Sequence, residues 1–162
     1  MIFMIHKMLR IGFFAVAILV AGYFSNVSAQ NISVSGSIAN GTVTRGTAAR
    51  ATVTLNIPGG LHTNSSRPGG EYAIPTSVKA SSKDAKIGAV TYPRGTNRKF
   101  EFSERPLNVY EGRVRFGFNV TVPSTFRGRT VTVSVSVRYQ ACTNEVCYAP
   151  KTKRITLTAR VN

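Results

Sequence analysis

The ten residues Thr130–Tyr139 read TVTVSVSVRY, and their period of two leaves little choice of secondary structure. Val131, Val133, Val135, Val137 and Tyr139 share one face, while Thr130, Thr132, Ser134, Ser136 and Arg138 take the other. Only an extended strand alternates its side chains in this way, so the segment is a strand with one buried face. The stretch RVRFGFNVTV, starting at Arg113, does the same: Val114, Phe116, Phe118, Val120 and Val122 point in, and Arg113, Arg115, Asn119 and Thr121 point out. Weaker copies occupy residues 32–38, 50–57, 87–92 and 154–161. Turn clusters divide them, among them Pro58-Gly59-Gly60, Pro93-Arg94-Gly95, Glu111-Gly112 and Arg127-Gly128. No window shows a helical period. The expected fold class is all-β, an immunoglobulin-like antiparallel sandwich of about seven to nine strands. The stretch from 59 to about 72 is expected to be one long irregular loop, of a size that often carries function.

The first 29 residues read differently. Lys7 and Arg10 precede an apolar run over residues 11–24, and Val27-Ser28-Ala29 fits the small-x-small pattern of a cleavage site. Residues 1–29 are therefore expected to be a secretory signal peptide, with residues 30–162 forming one mature domain. The other reading is an uncleaved anchor, although the run falls short of the roughly 20 residues of a spanning helix. Either reading puts the domain outside the cytoplasm, where disulfides persist. The leader holds two positive charges and no acidic residue, so the net +15 of the whole chain becomes +13 in the mature domain. Export argues against nucleic acid as the partner of so basic a domain. An anionic membrane or envelope surface, or an acidic protein, fits better, and a merely solvated basic face remains the plain alternative.

Two cysteines, Cys142 and Cys147, stand in YQACTNEVCYAP with four residues between them. Continuing the strand parity from Tyr139 puts Cys142 on the exposed side. Pairing it directly with Cys147 would also set inward Val135 opposite outward Arg154. A bulge or break near Pro150, which has no ladder donor, must then shift the register. The tip is expected to be irregular and reachable. A crosslink closing so short a loop stabilises by only about 2 kcal/mol on the chain-entropy model. Arg138, Lys151, Lys153 and Arg154 flank the pair, with Glu145 opposing them, and nearby positive charge favours thiolates. These residues by themselves leave two readings open, a structural staple and an active dithiol.

Other chemistries fail on inventory. Zinc needs about four ligands, and the mature chain offers two cysteines and one histidine, His62. No haem-attachment motif, nucleophile elbow or phosphate loop is present, and no acidic pair suggests glycosidase work. No cofactor is implied.

The segment VSVRYQACTNEVCYAPKTKRITL, with GLHTNSSRP, YAIPTSV, VTYPRG and KFEFSERPLNVYEGRVRF in order, resembles the amino-terminal periplasmic domain of the DsbD disulfide reductase family. The resemblance covers about residues 50–160, and the cysteine hairpin with its Tyr139-Gln140 entry is its most specific part. It implies an immunoglobulin-like electron shuttle that exchanges with thioredoxin-like proteins. Cys142 and Cys147 would then be the redox pair, with Cys147 forming mixed disulfides and Cys142 resolving them. The family covers its pair with a cap loop bearing a phenylalanine. Phe102 matches best, with Phe100 as the neighbouring candidate and Glu101 beside them; ordinary core packing is the alternative for both rings. His62 and Asn64 fall near a family segment beside the active site, or are simple turn residues. Two departures stand out. The family's best-known hairpin has one more residue between its cysteines. The chain also ends after one domain, so electron donors and acceptors are expected to be other proteins meeting a monomer. The competing functional reading is a non-catalytic basic sandwich that binds an anionic surface, its disulfide only closing the hairpin.

Overall fold

The computed structural model describes residues 31–162, so the signal peptide or anchor expected over 1–29 lies outside the described residues. Twelve strands occur among the described residues. In chain order they are β1 (Ser33–Ile38), β2 (Thr42–Val43), β3 (Ala48–Asn56), β4 (His62–Asn64), β5 (Ser77–Ser81) and β6 (Lys86–Ile87), then β7 (Thr96–Arg98), β8 (Leu107–Tyr110), β9 (Arg113–Thr121), β10 (Thr130–Tyr139), β11 (Ala141–Cys142) and β12 (Lys151–Val161). No helix among them is long and apolar enough to cross a membrane.

Two four-stranded sheets, ordered β1-β3-β9-β6 and β2-β12-β10-β5, form the sandwich. Alternation drives their assembly. In the first sheet Ala51 pairs with Phe118, Val53 with Phe116 and Leu55 with Val114, and all six side chains are buried. In the second, Val131 pairs with Ala159 and Val133 with Leu157, again all buried. The two inner faces join in one apolar core, as strands with a period-two pattern require. The outward residues of β10 and β12 are mainly threonine, serine and arginine. A third small sheet, β11-β4-β8-β7, stands at the end of the β10–β12 hairpin.

Five of the six strand expectations, two strong and three weaker, correspond to β1, β3, β9, β10 and β12, although β12 begins three residues early at Lys151. The expected strand over 87–92 is mostly lost. Ile87 pairs with Val120, but Thr91 then bridges Gly117, so the register slips by one residue between them. That bulge interrupts the ladder. The sandwich is antiparallel as expected, with one short exception. Arg160 and Val161 of β12 pair in parallel with Thr42 and Val43 of β2, which caps the edge of the second sheet. Inside the expected irregular loop, β4 was hidden because all three of its residues are buried and show no alternation.

Candidate active site

The cysteine hairpin grows out of β10 and β12, whose register runs without a break from Thr130↔Arg160 to Tyr139↔Lys151. Beyond Lys151 it changes. The amide of Tyr148 donates to the carbonyl of Ala141 (2.9 Å), and the amide of Thr143 to that of Val146 (2.8 Å). Two residues on the outgoing arm thus face three on the returning arm, which is the expected bulge beside Pro150. Cys142 and Cys147 face each other between these two hydrogen bonds, at a non-hydrogen-bonded position where side chains approach closely. Their sulfurs are joined, with the Cα atoms 4.0 Å apart. The Thr143 hydroxyl accepts from the amides of Glu145 and Val146 and shapes the turn.

The expected exposure of Cys142 is overturned. It is fully buried, whereas Cys147 is exposed. Parity holds only along a regular strand, and here the chain leaves the sandwich at Gln140 and re-enters pairing as β11 in the small sheet. There Cys142 lies opposite His62 and Ala141 opposite Thr63 of β4. Gln140 holds the junction. Its Nε2 donates to the Tyr148 carbonyl (3.1 Å), and its Oε1 accepts from Asn64 Nδ2 (3.2 Å), which also donates to the Ile74 carbonyl. One amide therefore ties the returning arm to β4.

His62 is 2 % exposed, and its Nε2 is buried without a hydrogen-bond partner, as is Asn64 Oδ1. Its ring stacks on Phe100 at 4.2 Å between centroids, and Phe100 stacks on Phe102 at 5.2 Å. Phe100 is buried with Leu107 and Val109, while Phe102 is 41 % exposed. The loop carrying these rings is closed by Lys99, whose ammonium donates to the Ser103 and Glu104 carbonyls, both at 2.6 Å. Burial lowers the His62 pKa below its ordinary 6.5; Glu111 opposes that shift and Arg98 adds to it. Those two residues form an exposed ion pair at 2.9 Å.

A cleft of about 630 Å³ joins these parts, lined by His62, Phe100 and Glu101 on one side and Asn144 and Glu145 of the hairpin tip on the other. The structure thus gathers Cys142, Cys147, His62, Phe100, Phe102 and Glu101 at one end of the molecule. It leaves Tyr139 out of the cleft. That side chain is buried in the sandwich core, and burial raises its phenol pKa. The sequence assigns no role to Gln140, nor to Val146 and Tyr148. These two flank Cys147 and are 48 % and 50 % exposed. Large apolar side chains at a turn, where no face is buried, were the available signal.

Fold and site define an all-β, immunoglobulin-like sandwich with a disulfide-closed hairpin at one end. The family model described as the N-terminal region of the thiol:disulfide interchange protein DsbD matches residues 31–159, and the chain belongs to that family. Over 89 residues it is 30 % identical to the thiol:disulfide interchange protein DsbD of Actinobacillus pleuropneumoniae serotype 5b (strain L20). That match covers 54 % of this chain and only 14 % of the relative's length. Among solved structures, the N-terminal periplasmic domain of ScsB from Proteus mirabilis is similar at a TM-score of 0.53 and 12 % identity, covering 76 % of this chain and 44 % of that one. The reduced DsbD N-terminal domain of Neisseria meningitidis is also similar, at a TM-score of 0.44 and 17 % identity, covering 68 % of this chain and 80 % of that one.

Proposed function

We propose that this domain carries electrons in the periplasm by opening and closing the Cys142–Cys147 disulfide against thioredoxin-like proteins. The observation that carries this reading is the unequal placement of the two cysteines, one fully buried and one exposed. A partner thiolate reaches the Cys147 sulfur, forms a mixed disulfide there, and releases Cys142 as the resolving thiol. In the opposite direction the reduced pair passes two electrons to a partner disulfide by the same two steps. Val146 and Tyr148 give an arriving protein apolar surface on both sides of the reacting sulfur. The ring pair Phe100–Phe102 borders the approach and has the character of a cap. The positive charge of the domain favours an acidic partner face. Under the competing reading the bridge is only a staple, which offers no reason for leaving one cysteine exposed beside exposed apolar side chains.

A Cys142→Ser variant tests the reading, because it leaves Cys147 without its resolving thiol. Incubated with periplasmic extract, it is expected to accumulate mixed disulfides with thioredoxin-fold proteins that a reductant releases and that the Cys142→Ser/Cys147→Ser double variant lacks. An extract yielding no such adduct would overturn the proposal.

A further inference from the structure

The buried Nε2 of His62 has no partner while the disulfide is closed. A polar atom sealed from water without a hydrogen bond is costly, and such an atom in a native fold calls for an explanation. Reduction supplies one. The residue directly across the β4–β11 pairing from His62 is Cys142, and opposed side chains in such pairs stand about 4.5–5.5 Å apart at Cβ. As a disulfide, Cys142 has no proton to donate. As a thiol it becomes a donor on the residue opposite His62. Its own burial raises the cost of forming the thiolate that attack requires. A group that accepts its proton removes that obstacle.

We infer that His62 takes the proton of the Cys142 thiol and so prepares the buried sulfur to resolve the mixed disulfide on Cys147. The inference rests on the shuttle reading and adds a residue to it. The step balances simply. Neutral imidazole accepts the Cys142 proton, and the Cys142 thiolate attacks the Cys147 sulfur. The Cys147–partner bond breaks, and the partner leaves as a thiolate carrying the electron pair. The imidazolium then returns its proton to that thiolate or to water. Stacking on Phe100 fixes the ring plane. Burial keeps the imidazole neutral, with its ring nitrogen free, while the same burial weakens it as a base. The charged groups around it are Glu111 beyond β8, Arg98 at the end of β7, Lys99 and Glu101 on the ring-bearing loop, and Glu145 at the hairpin tip. Glu111 steadies the imidazolium once it forms, and Arg98 opposes it.

The test uses the full domain in its reduced form and dithiobis(nitrobenzoate) as a small disulfide probe. Attack by Cys147 releases a first nitrothiophenolate, and attack by Cys142 on the resulting mixed disulfide releases a second. His62→Phe keeps the stack on Phe100 and removes both ring nitrogens. The first release is expected to stay within about twofold of the unaltered protein. The second should slow about tenfold at neutral pH, because an unaided thiol is only a few per cent ionised there. In the variant the second rate should climb steadily with pH, and in the unaltered protein it should be flatter. Equal second rates in both proteins, or a single release from the unaltered protein, would overturn the inference. Should His62→Phe fail to fold, the nitrogen NMR signal of Nε2 in the unaltered protein decides the matter. It must move on reduction of the disulfide, and an unmoved signal refutes the role. The probe is not a protein, so a normal two-step release without any trapped thioredoxin-like partner would remove the shuttle reading and leave the part played by His62 standing.

Discussion

The body and the tip of the β10–β12 hairpin are built from adjacent residues on opposite principles. In the body, ten residue pairs keep one register, and parity alone decides what is buried. At the tip the register shifts, the strand changes sheets, and burial follows individual contacts: Gln140 to Tyr148 and Asn64, His62 to Phe100. The body has a continuous apolar core. The tip retains two buried polar atoms without partners, an exposed cysteine and exposed apolar side chains. Stability is concentrated in the first region and chemistry in the second, as expected where a rigid scaffold holds a reactive loop.

The largest blow to that contrast is aimed at the body. Phe118→Ala empties a fully buried site and is expected to cost about 3–5 kcal/mol, read as a lowered urea midpoint. Replacing both cysteines by alanine should cost less, about 2 kcal/mol, with the circular dichroism of the folded sandwich unchanged. A loss as large as that of Phe118→Ala would mean that the tip holds the body together, and the division would break down.

Gln140→Ala sharpens the comparison on a smaller scale. Losing its hydrogen bonds should cost about 1 kcal/mol and speed hydrogen exchange at the Tyr148 amide, with the amides of residues 131–137 unaffected. The smallest effect is a pH dependence. His62 is held below its ordinary pKa of 6.5, so the folded protein binds that proton less readily than the unfolded chain does. Its contribution is complete above 6.5 and is lost as pH falls through the lowered value. Urea midpoints of the unaltered protein should therefore decline more on acidification than those of His62→Phe. Parallel declines would show that His62 titrates as a solvent-exposed imidazole.

These same two regions divide what the sequence made legible. Residues 130–139 and 113–121 announce their strands because a core that buries one face imposes a period of two. The register conflict between Val135, Arg154 and the cysteines was enough to locate the bulge near Pro150. Cys142 was misplaced because parity holds only while a strand stays in one sheet, and nothing local marks Gln140 as the point of departure. β4 escaped notice for a related reason: three consecutive buried residues, all of them polar, are specified by partners distant in sequence. His62 could be named as a neighbour of the site from the family resemblance. Its position across from Cys142, its stack on Phe100 and its unpartnered nitrogen are properties of the assembled tip.

The central claim is that the hairpin disulfide works by opening. Equilibrating the domain with glutathione buffers of known ratio measures its reduction potential directly. A working shuttle is expected to fall within the span of thioredoxin-like proteins, about −120 to −270 mV, and a value below about −300 mV would mark the bond as a permanent structural link and contradict the account.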